Sequence, residues 1–379
     1  WLPWALIAPQ AIVIGVFFFW PAGQTVVQAF QQSDAFGTSV EWAGLENFRN
    51  LFNDPTYLAS FWTTAVFSVL VAGFGIGISL VLAYFAVFAP GFLGSYNLAN
   101  IVEQSAVLGI LAFGMTVVVI GGGANVVTGG IDLSLAANLG LSAAVYAVAL
   151  DAGWPDAAAV GMTLLTGLAI GAVNAAAITC IGILPLLATL AVMNVVAGIE
   201  LVLTENTVVS ATSPLLDLLS TAAPLGVSLL AWALAGTALL FLLAVQGTPW
   251  GLRLYAVGAH PEAAHAAGIP VARYVAASYL VSGLCGSLAS LLFVARLSGS
   301  VPGAGELLLS IIVATLMGVV FSRRLVATIG GTLLSVLFIG CLKNGFQLLN
   351  VSSYWVNGVQ GVLILLVVSM TSLTRRGDA

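Results

Sequence analysis

Residues that could carry out covalent chemistry are few in this chain. The two histidines, His260 and His265, lie five positions apart in a polar stretch without a nearby cluster of further metal ligands. No GxxxxGK[ST] phosphate-binding loop occurs in the sequence. The three cysteines form no CxxC pair and stand singly in apolar runs, as packing residues do: Cys180, Cys285 and Cys341. The sequence therefore predicts no metal site, no cofactor and no catalytic centre.

Polar side chains inside otherwise apolar runs could contribute to a function other than covalent chemistry. Such residues line a cavity or form a hydrogen bond with a neighbouring helix, because an unpaired polar group in an apolar environment is costly. They are Glu103, Asn174, Asn194, Glu200 and Asn344. Glu103 and Glu200 stand near the ends of predicted helices, so we expect both to be interface residues with access to water.

The composition determines which elements must position these residues. Of 379 residues, 60% are hydrophobic and 6% charged, against about a quarter charged in a soluble domain. A transmembrane helix needs about 20 mostly apolar residues, and the chain offers about eleven such runs. They are predicted at 3–27, 61–89, 99–122, 132–150, 156–180, 184–204, 226–246, 273–294, 305–321, 327–349 and 354–372. The predicted fold is all-α, a polytopic transmembrane bundle of about 10–11 spans.

Two segments are too polar to span a membrane, Gln31 to Ser60 and Gly247 to Arg273. Loops that carry basic residues close to the membrane stay on the cytoplasmic side. Three groups of arginines are separated by two spans each and therefore share one side: Arg253 with Arg273, Arg323 with Arg324, and Arg375 with Arg376. The pattern predicts a cytoplasmic C-terminus.

The second polar segment contains start and stop signals for a short helix. Pro261 opens it, Glu262 complements the positive helix end, and Gly268 followed by Pro270 ends it. Small alanines, among them Ala263 and Ala264, allow a partner to approach closely. Two interpretations fit this segment. It is either an element that docks into a groove on a partner protein or an interfacial helix that only connects two spans.

The segment GGIDLSL, Gly129 to Leu135, predicts a break in a helix at membrane depth. Asp132 or Ser134 can cap the helix that follows. Irregular backbone at this depth must face protein or water, so the break with Asn125, Asp132 and Ser134 also fits the border of a translocation pathway. We prefer the cap, and the two roles are compatible.

Several segments resemble the ribose-type (monosaccharide) permeases of ABC importers. They are GLRLYAVGAHPEAAHAAGIPV at Gly251 to Val271, PGFLGSYNLANIVEQSAVLGILAFGMTVVVIGGG at Pro90 to Gly123, GGIDLSL, ARLSGSVPGAG at Ala295 to Gly305, and NGFQLLNVSSYW at Asn344 to Trp355. The turn FSRRL, Phe321 to Leu325, departs from the glycine-rich turn expected there. From the first to the last, the similar segments follow the family's order and span about three quarters of the chain. The segment from Pro261 to Gly268 corresponds to the family's cytoplasmic coupling segment.

The resemblance implies a permease subunit that moves a monosaccharide or similar polyol by alternating access. It implies a homodimer of permease subunits in the bacterial inner membrane, separate cytoplasmic ABC ATPase subunits and a periplasmic sugar-binding protein. The chain itself is then not an enzyme, and its other contacts are membrane lipid and not nucleic acid.

The N-terminal stretch, about 1–88, resembles a different family. FFFWPAGQTVVQAF, Phe17 to Phe30, and WAGLENFRNLFNDPTYLASFWTT, Trp42 to Thr64, are similar to the start of a sugar-phosphate (glycerol-phosphate) ABC permease. The resemblance implies two parts, an N-terminal membrane segment of hybrid appearance at 1–89 and a ribose-type permease domain at 90–379. In the second family the polar loop is periplasmic, whereas counting spans back from the C-terminus places Gln31 to Ser60 in the cytoplasm.

Two other classes of protein compete with this interpretation. An ion-coupled secondary transporter or channel for a small polar solute needs ionisable residues inside the membrane, and the sequence offers few. A membrane-embedded enzyme needs a nucleophile or a metal constellation, and the two histidines do not form one.

Overall fold

The computed structural model describes residues 13–33, 40–123, 129–221, 226–322, 326–352 and 355–365. Most of these residues are helical and very few are in strands, which confirms the predicted all-α fold. The helices are α1 Trp20–Gln28, α2 Glu46–Asn53, α3 Pro55–Phe88, α4 Ser95–Gly122, α5 Leu135–Asp151, α6 Asp156–Thr179, α7 Pro185–Thr204, α8 Pro214–Ser220, α9 Leu229–Phe241, α10 Pro249–Ala259, α11 Pro261–Ala266, α12 Val271–Leu297, α13 Leu307–Val320, α14 Ile329–Leu348 and α15 Trp355–Leu365. The strands are β1 Gln31–Ser33, β2 Val40–Trp42, β3 Val209–Ser210 and β4 Gly299–Ser300.

The chain divides into two compact units, Trp1–Phe74 with Met370–Ala379 and Gly75–Ser369. In the first unit, a π-helical turn at Gly15–Phe19 leads into α1, and β1 pairs antiparallel with β2. Asn47 on α2 donates to the carbonyl oxygens of Ala29 and Gln31, at 3.1 and 2.8 Å. The described part of the polar segment Gln31 to Ser60 therefore contains β1, β2 and α2, and its last residues belong to α3.

The second unit is built around α4. In the most apolar window of this helix, 89% of the residues are buried inside the protein, against 22% for α7. Because both helices are strongly apolar, this difference shows that α4 lies at the centre of the bundle while α7 turns most of its surface outward. Helices α5, α6 and α7 pack on one another through Ala137, Leu141, Ile170 and Val196.

Among the described residues, six helices are long and apolar enough to cross a membrane, judged by length and composition. They are α4, α6, α7, α9 together with its π-helical extension to Gln246, α12 and α14. Four shorter apolar segments accompany them: the end of α3 at Gly75–Phe88, and the helices Leu135–Asp151, Leu307–Val320 and Trp355–Leu365. The chain is thus a multi-pass membrane protein.

The alternating direction of these helices defines two ends of the second unit. At one end, Gly123 after α4 touches the carbonyl of Gly258 on α10, and the Tyr255 hydroxyl donates to the carbonyl oxygen of Ala327 at 2.8 Å. We name this the α10 end. At the far end, the hydroxyl of Ser220 donates to the carbonyl oxygen of Ala295 at 3.1 Å.

Small residues let α6 and α12 approach closely. A methyl group at Gly283 would collide with the backbone of Gly167 and Gly171 on α6, and one at Gly171 would lie 2.6 Å from the carbonyl oxygen of Tyr279. Lipid supplies no hydrophobic force between membrane helices, so close packing of small residues is what stabilises such a contact.

We expect Gly283→Val to lower the free energy of unfolding by about 1 to 3 kcal/mol, the usual effect of overpacking a tight contact. The matched control is Gly161→Ala on α6, where a methyl group would meet no neighbouring atom. The control should be neutral or raise stability by up to about 1 kcal/mol, since alanine is the better helix former. Unfolding in mixed micelles measures both, and equal stability of the two variants would contradict this account of the contact.

Candidate functional site

Two short helices replace a simple loop between the π-helical extension of α9 and the span α12. Helix α10 covers Pro249–Ala259 and helix α11 covers Pro261–Ala266, with the extended residue His260 between them. The predicted start at Pro261 is confirmed. The predicted stop is confirmed as well, because Gly268 has a φ of +79° and Pro270 follows it. Glycine adopts this left-handed backbone conformation without strain.

Helix α10 fixes this segment to the bundle. Leu254 and Val257 are fully buried, and burying such a side chain contributes about 1.5 to 3 kcal/mol. Leu254 packs on Gly121 of α4, and Gly258 leaves room for the carbonyl of Ile120. Helix α10 is therefore attached to the last turn of the central helix, so that a force on α10 reaches α4 directly.

Helix α11 presents most of its surface to solvent. Only Ala264 is buried, at 5% exposure, and the helix as a whole contacts α10 and α12. The exposed residues are Pro261, Glu262, Ala263, His265, Ala266 and Gly268. We call α11 with these exposed residues the docking surface. Its small side chains and single carboxylate match what a groove-binding helix needs.

The predicted break in the helix is also present. Helix α4 ends at Gly122, Gly123 has a φ of +81°, and α5 begins at Leu135. Asn125 lies outside the described residues. A methyl group at Gly130 would collide with the carbonyl of Val118, so the returning chain runs against the last turn of α4.

A buried network of hydrogen bonds surrounds this break. Asp132 is 1% exposed, and its Oδ1 accepts the backbone N–H of Ser134 at 3.0 Å and the Ser134 hydroxyl at 2.6 Å. Its Oδ2 accepts the hydroxyl of Ser282 on α12 at 2.7 Å. Asn174 on α6 donates to the Ser134 oxygen at 2.7 Å. We call Asp132, Ser134, Asn174 and Ser282 the polar cluster.

The expectation that Asp132 or Ser134 caps α5 was wrong. Ser134 occupies the N-cap position, but its side chain accepts no N–H from the first turn of α5, because its hydroxyl donates to Asp132 instead. Asp132 accepts the backbone N–H of Ser134 within the turn before α5. This turn is joined to α12 through Asp132 and to α6 through Ser134.

Sequence reasoning missed the partners on α12 and the second connection through Asn138. The amide of Asn138 donates to the carbonyl oxygen of Gly283 at 2.9 Å and accepts the Ser142 hydroxyl at 2.9 Å. A signal was available, since the serines and glycines of α12 repeat at helical spacing and form one polar, narrow face: Ser278, Ser282, Gly283, Gly286 and Ser290.

The other intramembrane polar residues have different surroundings. Asn344 and Asn97 exchange two side-chain hydrogen bonds at 2.8 and 2.9 Å, and Asn194 bonds only to the carbonyl of Leu190. Glu103 is half-buried, whereas Glu200 is only 4% exposed. The expectation that Glu200 has access to water was therefore wrong. The reason is tertiary, because Glu200 faces Gly140 on α5 and the missing side chain there lets the carboxylate fit between the helices.

Comparison with known proteins supports a transport role. The family described as branched-chain amino acid transport system / permease component matches residues 97–368. The ribose import permease protein RbsC of Bacillus subtilis is 33% identical over 77% of this chain and 90% of its own length. The protein of the same name from Escherichia coli is 34% identical over 77% of this chain and 91% of its own length.

A shorter part of the chain matches a different kind of permease. The sn-glycerol-3-phosphate transport system permease protein UgpA of Pectobacterium atrosepticum is 57% identical over 83 residues, which are 22% of this chain and 28% of that protein. The resemblances to a ribose-type permease and to a glycerol-phosphate permease are thus both confirmed. No solved structure matches the chain. Because the family match covers most of the sequence and two ribose import permeases match over 90% or more of their length, this chain belongs to this family of transport permeases and, within it, to the ribose-type permeases of ABC importers.

Proposed function

We propose that this chain is the membrane-spanning permease subunit of an ATP-driven ABC importer for a monosaccharide or a similar polyol. The observation that carries the proposal is the docking surface, a short exposed helix held between two spans and attached through α10 to the break in the central helix. The similarity to two ribose import permeases over 90% or more of their length supports the choice of substrate class.

The partners follow from this role. A cytoplasmic ABC ATPase subunit docks on Pro261, Glu262, Ala263, Ala264 and Gly268, and its motion is transmitted through α10 to α4. A periplasmic sugar-binding protein delivers the solute at the far end, and a second permease copy completes a homodimer. The protein then lies in the bacterial inner membrane with the α10 end and the C-terminus in the cytoplasm.

The break between α4 and α5 borders the translocation pathway in this proposal, through Asn125, Asp132 and Ser134. Asp132 and Ser134 are buried here, which fits a conformation in which the pathway is closed at this level. The polar cluster connects α5, α6 and α12 by hydrogen bonds of 2.6 to 3.0 Å. A break held by a few polar contacts can rearrange during alternating access more easily than a continuous helix.

The division of the chain forms part of the proposal. Residues 90–379 are the ribose-type permease domain, and 1–89 are an additional membrane segment. The match to a glycerol-phosphate permease over 83 residues supports a separate origin for that segment.

A second candidate is an ion-coupled transporter, because Asp132 and Glu200 are buried carboxylates. Intramembrane carboxylates commonly carry protons or coordinate ions in such proteins. The two candidates differ in their source of energy, so one experiment separates them.

Reconstitution into vesicles tests the proposed function. We expect uptake of radiolabelled ribose or a related sugar only when the chain is combined with its ATPase, its binding protein and internal MgATP. The chain alone should be inactive under an imposed proton or sodium gradient. Gradient-driven uptake by the chain alone would refute the ABC proposal and establish the second candidate.

A further inference from the structure

A cavity of about 200 Å³ lies between α4, α12, α13 and α14. Its polar lining residues are Gln104, Ser105, Arg296 and Lys343, and Phe293 and Leu307 are among the apolar ones. Arg296 stands in the last turn of α12, whose 27 residues extend about 40 Å from the α10 end. The cavity is therefore at the far end of the unit, well separated from the docking surface and the polar cluster.

Two cations face this cavity. Lys343 is the sole lysine of the sequence. It is partly buried, and within the described part of the chain its ammonium group has neither a hydrogen bond nor an ion pair. Arg296 donates one bond of 3.4 Å to the carbonyl oxygen of Gln104, which leaves most of its donors free. Glu103 lies near Arg296 but does not line the cavity.

Close contacts between α4 and α14 fix the helix backbone on both sides of Lys343. The paired bonds between Asn97 and Asn344 join α4 to α14 one residue beyond Lys343. Gly340, one turn before Lys343, packs directly on the hydroxyl of Ser105. The cavity is thus a preformed space between tightly packed helices.

A simpler account is that both side chains extend to the membrane surface to reach water. That account leaves the shared cavity unexplained. Two like charges repel each other when they face one small space, and an anion between them removes the repulsion. The volume is below the 300 to 1,000 Å³ or so of sites that enclose a whole organic ligand, so it suits a charged headgroup.

We propose that this cavity binds a phosphate group of an anionic phospholipid, with Lys343 and Arg296 as its ligands. Val107, Leu108 and Leu297 also line the cavity and suit the apolar part of such a molecule. Arginine forms paired hydrogen bonds with phosphate oxygens, and lysine adds a point charge. The proposal does not depend on the transported substrate.

The single lysine makes a direct test possible. The full chain is labelled with 15N at the lysine side chain and purified in a neutral detergent, so that one ammonium signal is observed. We expect dioleoylphosphatidylglycerol to shift this signal and to raise the melting temperature, and dioleoylphosphatidylcholine to do neither. Lys343→Gln should weaken phosphatidylglycerol binding about 5-fold, and the double variant with Arg296→Gln about 25-fold, from the usual contribution of one basic residue near a lipid surface.

The matched control is Arg273→Gln, which removes an exposed arginine from the opposite end of the same helix and should bind phosphatidylglycerol as the wild type does. Inorganic phosphate is the second probe in this experiment. If it shifts the lysine signal and phosphatidylglycerol does not, the cavity binds an anion, but the anion is a soluble ligand. That result overturns the lipid assignment. If neither probe changes the lysine signal, the cavity does not bind an anion, and this result can be obtained with the wild-type chain alone. Equal lipid affinity in the wild type and the double variant would do the same.

Discussion

Glu262→Arg is expected to reduce ATP-driven sugar uptake at least 10-fold while the amount of chain in the membrane stays the same. Glu262 is exposed in the first turn of α11, on the docking surface, and its side chain forms no hydrogen bond or ion pair with the part of the chain that the structure describes. Reversing its charge opposes both the helix dipole and any cation on the partner. A loss of about 1.4 kcal/mol in docking corresponds to 10-fold in affinity, and copurification of the ATPase measures that loss.

A second variant separates docking from helix stability. Ala263→Trp keeps the charge and adds bulk at an exposed position of α11, so we expect it to block close approach of the ATPase. The control is Glu205→Arg, the same charge reversal at an exposed residue that follows α7 at the far end, which should leave ATPase copurification unchanged. Normal copurification and uptake with both docking variants would show that α11 only connects two spans.

Asp132→Ala is expected to destabilise the second unit by about 3 kcal/mol and to abolish transport. The substitution leaves three donors without their acceptor, the N–H and hydroxyl of Ser134 and the hydroxyl of Ser282. A buried unsatisfied donor costs about 1 to 3 kcal/mol. Unfolding in mixed micelles checks the stability, and the uptake assay checks the function.

Two further variants distinguish geometry from charge at this position. Asp132→Asn keeps an oxygen for Ser134, and the Ser282 hydroxyl can turn to accept from the new amide, so most of the stability should return. Ser282→Ala removes one interhelical bond and should cost only about 0.6 to 1 kcal/mol, the usual size of such a bond in a membrane protein. Asp151→Ala at the exposed end of α5 is the neutral control. A loss of stability no larger for Asp132→Ala than for this control would contradict the role of the polar cluster.

Transport by Asp132→Asn gives separate information. The variant preserves the hydrogen-bond geometry and removes the negative charge. Retained uptake would assign Asp132 to holding the break in place. Lost uptake with retained stability would assign its charge to the transport cycle.

Much of the fold was predictable because its signals are local. Continuous apolar runs give the spans, since a lipid-exposed segment must satisfy all its backbone hydrogen bonds within itself. The boundaries of α6 and α7 agree with prediction to within one residue at each end. Pro261 and Gly268 delimit α11 for equally local reasons, a fixed φ at the start and a left-handed residue after the end. The short length of α11 and its separation from the spans could therefore be read directly.

The candidate site was predictable in part. Asp132 and Ser134 were identified because a polar pair after two glycines indicates a break, although the predicted cap was wrong. Ser282 and Asn138 were not identified. The repeat of serines and glycines in α12 indicates a polar face, but it does not show which helix that face meets. Their importance depends on the helix that lies opposite, and Ser282 is 150 residues away from Asp132 in the sequence.

By itself, the sequence determined that the chain is a bundle of apolar helices, where the helices begin and end to within several residues, and that one short helix stands apart from the spans. These properties follow from the hydropathy of each segment and from the positions of proline and glycine, whose effect on the backbone extends over only a few residues. Only the tertiary structure decided that α4 is the buried centre, that Glu200 is enclosed, and that Arg296 and Lys343 share a cavity. An apolar residue suits lipid and a protein core equally well, so hydropathy cannot separate the inner face of a membrane helix from its outer face. That difference is created by close packing at glycines such as Gly140 and Gly283, where a missing side chain decides which helices can meet.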